Sequence, residues 1–198
     1  MASAPVSTVT GPLPRSERRA VILAGAAHAF AQKGYAATSM EDIAAASGIT
    51  KLIVYRHFTS KEELYRAVLE RVATRMRDEF IARFNLGPAG DAAANAYLTV
   101  AREDPAGFRL LWRHAARERP FAEYAASLRA RAVAAARDLL RPFVRVDLLT
   151  WASESTVSFL VEATLNWLEW GDDARDDEFV ALATSGLHAL VGAWAAPR

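Results

Sequence analysis

The chain has no cysteine among its 198 residues, which excludes disulfides, Cys-ligated zinc, iron–sulfur clusters and thiol catalysis. A long hydrophobic run is also missing: the longest apolar stretch, residues 20–31, is interrupted by His28 and falls far short of the roughly 20 residues that cross a bilayer. The N-terminus lacks a basic-then-apolar signal pattern, so the expectation is a cytoplasmic protein without a membrane partner. Neither sign of charge dominates, with 24 basic against 23 acidic side chains, and disordered or supercharged segments are excluded. No HExxH, GxSxG, phosphate-loop or dinucleotide fingerprint occurs. The carboxylates Asp172, Asp173, Asp176, Asp177 and Glu178 lack the spaced ligands and central glycine of a calcium loop, and His114 and His188 lack a second ligand at helical spacing. No metal, no cofactor and no enzymatic activity are expected.

Glycine (10) and proline (8) are scarce beside forty-two alanines, the strongest helix former. No alternating apolar pattern bounded by turn residues predicts a strand. The chain therefore reads as all-α, with about nine helices. Its charge is unevenly spread: residues 1–71 hold nine basic and six acidic groups together with all three lysines, whereas the five tryptophans all lie beyond them. Such asymmetry suggests one module that meets something anionic and another with different work.

Residues 1–14 mix small, polar and proline residues without periodicity and are expected to form a flexible arm. From residue 16 apolar side chains recur at helical spacing, with His28 on the same stripe, until Gly34 ends the run near residue 33. Thr38 and Ser39 are capping candidates for a two-turn helix over 40–47, Gly48 supplies a turn and Thr50 the next cap. Two short helices joined by a glycine-bearing turn make a helix-turn-helix, with Ile43, Ala44, Ile49, Val54 and Phe58 facing inward. Ser60 with Glu63 forms a capping box that opens a long helix to about residue 86. Asp91 caps the next, to 103; Asp104 followed by Pro105 starts another to 119. Pro120 divides it from a helix to 143, Asp147 caps one to 170, and a last helix covers 179–194. The expected domains are the helix-turn-helix over 15–60 and a second helical domain over 61–198.

The segment TSMEDIAAASGITKLIVYRHFTSKEELYRAVLE, with Phe30, Gly34 and Tyr35 before it, resembles the DNA-binding region of TetR-family transcriptional regulators. The ordered set Thr38, Ile43, Ala44, Gly48, Thr50, Tyr55, His57, Phe58, Ser60, Lys61 and Leu64 carries the likeness, which covers the first third of the chain. The resemblance implies a homodimeric repressor, released from a palindromic double-stranded DNA operator by a small-molecule effector. It also implies that Lys51, Tyr55, His57 and Lys61 touch DNA, and that Thr38 caps a helix and reaches a phosphate.

Independently of any family, the second helix of such a pair is the one placed to enter the major groove. Lys51 in its first turn, after Thr50, could reach guanine O6 or N7; Tyr55 offers a hydroxyl to phosphate, Arg56 lies beside it, and Lys61 stands at a helix N-terminus that favours anions. His57 serves either phosphate or packing. Leu52 and Ile53 stand where many relatives carry a small residue and a hydroxyl. Thymine methyls would cover both, unless one packs against the preceding helix. Arg15 and Arg18, with Arg19, either grip phosphate or the minor groove or simply solvate a helix start.

The second module is dense in aromatics. Trp112, Trp151, Phe159 and Trp167 are expected to wall an effector site, with His114, Glu162 and Asn166 as orienting groups or plain surface residues. The last two helices carry more apolar side chains than one bundle hides easily. The TetR-family resemblance implies that these two helices of each subunit form a four-helix interface and that 61–198 is a ligand-binding and dimerisation domain; Leu160, Thr164, Phe179, Leu182, Gly186, Leu187, Leu190 and Trp194 are the expected dimer contacts, Gly186 allowing close backbone approach. A helical enzyme or a bare dimerising module would need no helix-turn-helix, which favours the regulator.

Overall fold

The computed structural model describes residues 14–195, and every regular element among them is helical. Among the described residues nine α-helices follow in order. They are α1 (Arg15–Ala37), α2 (Met40–Ala46), α3 (Lys51–His57), α4 (Lys61–Phe84) and α5 (Ala89–Glu103), then α6 (Pro105–Arg109), α7 (Ala122–Leu140), α8 (Leu149–Trp170) and α9 (Asp176–Trp194). Apart from Pro14, the expected arm over 1–14 lies outside the described residues. Among the described residues no helix is long and apolar enough to cross a membrane.

α1, α2 and α3 form the helix-turn-helix unit that turn chemistry predicts. The Ser39 hydroxyl accepts from the Asp42 amide (3.1 Å) while the Asp42 carboxylate accepts from the Ser39 amide (2.9 Å), a complete capping box on α2. Gly48 turns the chain at φ 63°. Gly25 lets that turn lie against α1, because a Cβ there would stand 2.8 Å from the Ser47 backbone nitrogen. α1 bends where its end is predicted, at Gly34 with φ 75°. His28 faces solvent instead of the core, which is built from Ile22, Leu23, Ala26, Ala27 and Phe30.

At α4 the expected box is half formed. The Ser60 hydroxyl accepts from the Glu63 amide (3.0 Å), but the Glu63 carboxylate is taken by the Thr59 amide and hydroxyl, both at 2.7 Å. Other boundaries shift because side chains found different partners. Asp91 sits in the first turn of α5 behind Pro88, and Asp147 pairs with Arg145 (2.6 Å) rather than capping α8. Asp104 does cap α6, accepting from the Gly107 amide (2.9 Å).

The helix predicted over 105–119 changes pitch instead of continuing. After α6 the chain widens into a π-helical turn, Leu110–His114, then tightens into a 3-10 turn, Ala115–Arg117. The wider turn keeps Leu110, Leu111 and Ala115 all buried; π turns gather at functional sites. One apolar core runs from Ile22 and Val54 through Leu64 and Leu69 to Phe108, Leu165 and Phe179. It is continuous across residue 60, where the domain boundary is expected, because α4 supplies side chains to both sides. A smaller cluster of Leu140, Val144, Leu149, Ala152 and Trp194 closes the far end of α7, α8 and α9.

Candidate nucleic-acid interface and effector cavity

α3 turns Val54 inward, fully buried, which sets Lys51, Leu52, Tyr55 and Arg56 outward. All four are exposed, Leu52 at 62% and Tyr55 at 45%. Ile53 is half-buried, so Leu52 alone stands bare in water, a position that an apolar partner such as a thymine methyl would relieve. Thr50 holds the cap position without a side-chain hydrogen bond. The Lys51 ammonium lies 5.7 Å from the centre of the Tyr55 ring and forms an ion pair with Glu41 of α2. That hydrogen bond raises the lysine above its ordinary range and lowers the carboxylate. Sequence reasoning passed over Glu41, and only the register of the two helices across the turn could have found it.

The start of α1 lies beside the end of α3. Arg15 is exposed and Arg18 half-buried. Partial burial and then the positive charges of Arg15, Arg18 and Arg19 hold half-buried His57 below the usual imidazole range. The Arg19 guanidinium stands 5.0 Å over the Phe58 ring. Three arginines and the C-terminal turn of α3 therefore share one positive face.

Thr38 and Lys61 do not face outward as expected. Thr38 is buried, its hydroxyl donating to the carbonyls of Ala29 (3.3 Å) and Gly34 (2.7 Å), and Ser39 does the capping. Lys61 donates to the carbonyls of Tyr35 (2.8 Å), Ala36 (3.3 Å) and Thr38 (2.7 Å), with its ammonium 4.4 Å over the Tyr35 ring. An ammonium has three donors, and all are spent on the end of α1. Lys61 is a clamp between α4 and α1.

In the second half of the chain α4, α5, α7, α8, α9 and the π turn enclose a cavity of about 620 Å³, within the range of about 300–1,000 Å³ usual for small-molecule sites. Its space comes from missing side-chain volume: Ala73, Ala93, Ala96, Ala132 and Ala136 line it. Of the four expected wall residues and three expected orienting groups only Trp112 does so. Trp151 is exposed and packs edge-on to Trp194 (5.0 Å); Phe159 rests over Gly186; the Trp167 indole donates to Asp176 (2.8 Å). His114 and Asn166 are exposed, and Glu162 accepts from Arg113 (3.3 Å) at the surface. Inside, the Trp112 indole nitrogen and the Thr156 hydroxyl are buried without a hydrogen-bond partner.

Residues 22–68 match the family model of bacterial regulatory proteins of the tetR family. Residues 22–68 are therefore a TetR-family helix-turn-helix domain. It is similar to the HTH-type transcriptional activator FasR of Mycolicibacterium smegmatis, 36% identical over 104 residues, 50% of this chain and 48% of that protein. The chain thus spans about half the length of this curated relative. A TetR-like transcriptional regulator from Rhodococcus sp. RHA1 shares the fold with TM-score 0.72 at 24% identity, covering 89% of this chain and 99% of the other. AibR, solved in complex with isovaleryl coenzyme A and operator DNA, does so with TM-score 0.64 at 20% identity, covering 86% of this chain and 97% of its own.

The dimer contacts expected from the TetR-family resemblance are mostly used inside the subunit. Leu160, Thr164, Phe179, Leu187 and Trp194 are buried in it, and Leu190 is half-buried against the smaller cluster. Gly186 makes room for the chain's own Phe159, whose ring would stand 2.9 Å from a Cβ there, rather than for a second backbone. Leu182 alone of the eight is exposed, at 61%.

Proposed function

We propose that this TetR-family protein is a homodimeric transcriptional regulator that binds a palindromic operator through α3 and, as a repressor, is released by a small apolar effector in the cavity. The observation that carries the reading is that one helix joins the helix-turn-helix unit to the cavity. α4 clamps the end of α1 through Lys61, and three turns on its Ala73, Met76 and Phe80 line the cavity. A second route runs through the π turn. Trp112 lines the cavity, and six residues later the Glu118 carboxylate accepts from the Tyr35 amide (3.2 Å). Phe121 then packs on Tyr35 (4.6 Å) and Tyr65 (4.2 Å). An effector that favours one setting of these contacts changes the spacing of two heads that must meet successive major grooves. AibR, solved with both an acyl thioester and operator DNA, supports the combination.

Selection of bound fragments from genomic DNA is the first test. The expected product is a palindrome, with affinity falling steeply as salt rises because neutralised phosphates release counterions. Tyr55→Ala weakens binding to all sequences alike, and Lys51→Ala relaxes the preference at one base pair. Glu41→Gln frees Lys51 and steepens the salt dependence. Salt-independent binding, or none to any fragment, overturns the reading.

The effector half has its own readout, because all five tryptophans lie at or beyond residue 112. An effector should shift their emission and lower operator affinity together. Trp112→Ala blunts both responses and leaves operator binding without effector intact; an effector acting equally on this variant overturns the assignment of the cavity.

A further inference from the structure

The lining of the cavity is graded. Its deep wall is formed by buried Met76, Ala96, Leu111, Leu128, Val157 and Leu160. Among the described residues its charged or readily titratable members are Arg77, Arg131 and His188, all exposed, which places them at the rim. Not one aspartate or glutamate among the described residues belongs to the lining. The neutral polar side chains of the lining, Thr74, Tyr97, Trp112 and Thr156, carry no charge to attract a counterion.

Each rim arginine leans on a carboxylate outside the lining. Arg77 donates to Asp78 (2.8 Å), and Arg131 donates to Glu70 (3.0 Å), which also accepts from the Tyr124 hydroxyl (2.7 Å). These contacts use part of each guanidinium, which has five donors in a fixed fork, and leave donors for a second acceptor. A cationic ligand would find no carboxylate in the lining, and a neutral one would gain nothing from the rim. A molecule with an apolar chain and an anionic end matches both zones.

On this basis, and resting on the effector reading above, we infer that the cavity selects an anionic amphiphile: an aliphatic chain bound among the buried residues, with its carboxylate, or the phosphates of a carrier to which the acyl group is esterified, at Arg77, Arg131 and His188. Chain length is set by the wall and charge sign by the rim. Discrimination between equal chains with different ends is therefore the property that the structure encodes.

The experiment holds the chain constant and changes the end. Decanoate, decanol, decylamine and decanoyl coenzyme A are titrated into the full-length protein at neutral pH, below their aggregation limits, with tryptophan emission and calorimetry as readouts. Decanoate should bind about fivefold to tenfold more tightly than decanol, the size expected of a few partly exposed charge contacts, and decylamine more weakly than either. The double variant Arg77→Gln, Arg131→Gln should lose the preference for decanoate and still bind decanol, whereas the Arg→Lys pair retains part of the preference. Tighter binding of decanoyl coenzyme A than of decanoate, lost in the glutamine variant, identifies phosphates as the anion; the reverse order identifies the free carboxylate. Decanol binding as well as decanoate, or decylamine binding best, overturns the inference and leaves the effector cavity standing. No binding by any of the four overturns both.

Discussion

Lys61→Ala should abolish operator binding by loosening the reading head, and low salt should not restore it. The ammonium ties the last carbonyls of α1 and that of Thr38 to the first turn of α4. Removing it leaves those acceptors to water in a half-buried position, at a cost of about 1–3 kcal/mol for charge-assisted bonds, or a fall in Tm of about 3–10 °C for a chain of this size. Arginine is a poor substitute, because a planar fork cannot point at three carbonyls grouped around one atom. The alternative, a lysine reaching a phosphate, makes different predictions for the same variant. Tm would be unchanged, and the slope of log affinity against log salt would shrink by about 0.9 for the one lost contact. Thermal denaturation beside a salt series of mobility shifts separates the two, and an unaltered Tm with a shallower slope would return Lys61 to the DNA.

The helix-turn-helix was legible because its signals are local. Ser39 and Gly48 act through the backbone within three residues, and Val54 buries one face of a seven-residue helix whose Lys51, Leu52, Tyr55 and Arg56 must then look outward. Direction over longer distances was not legible. The sequence places Lys61 at a helix start, where an anion is favourable, but says nothing of the chain end 23 to 26 residues earlier that takes its donors. Aromatic density points to the wrong walls: Trp151, Phe159 and Trp167 have partners in Trp194, Gly186 and Asp176, and alanines make the space. A void is an absence of side-chain volume, and alanine in a helix reads equally well as helix propensity. The π turn escaped for a related reason: Phe108, Leu111 and Trp112 fit an α-helical spacing too, and only tertiary packing decides the pitch.

The same logic gives a pair of variants on α9 that should fail in opposite ways. Leu187 is buried, lines the cavity and belongs to the subunit's core. Leu187→Arg therefore puts an unpaired charge into an apolar interior, which costs several kcal/mol and unfolds the subunit. Leu182 lies five residues earlier on the outer face, 61% exposed among exposed Ala181, Ser185 and Ala189. Small residues around one bare leucine allow a second copy of the helix to approach closely, so the proposed dimer has its apolar anchor there. Leu182→Arg should leave the circular dichroism spectrum unchanged and the subunit's unfolding free energy within about 0.5 kcal/mol of the parent, as surface substitutions usually do, while sedimentation shows a monomer. Each monomer still grips one half-site, but the second contact is no longer intramolecular, and operator affinity should fall by about 10²- to 10⁴-fold. A Leu182→Arg protein that still sediments as a dimer moves the interface to another face. A Leu187→Arg protein that stays folded but monomeric would instead show that α9 gives its buried face to the partner.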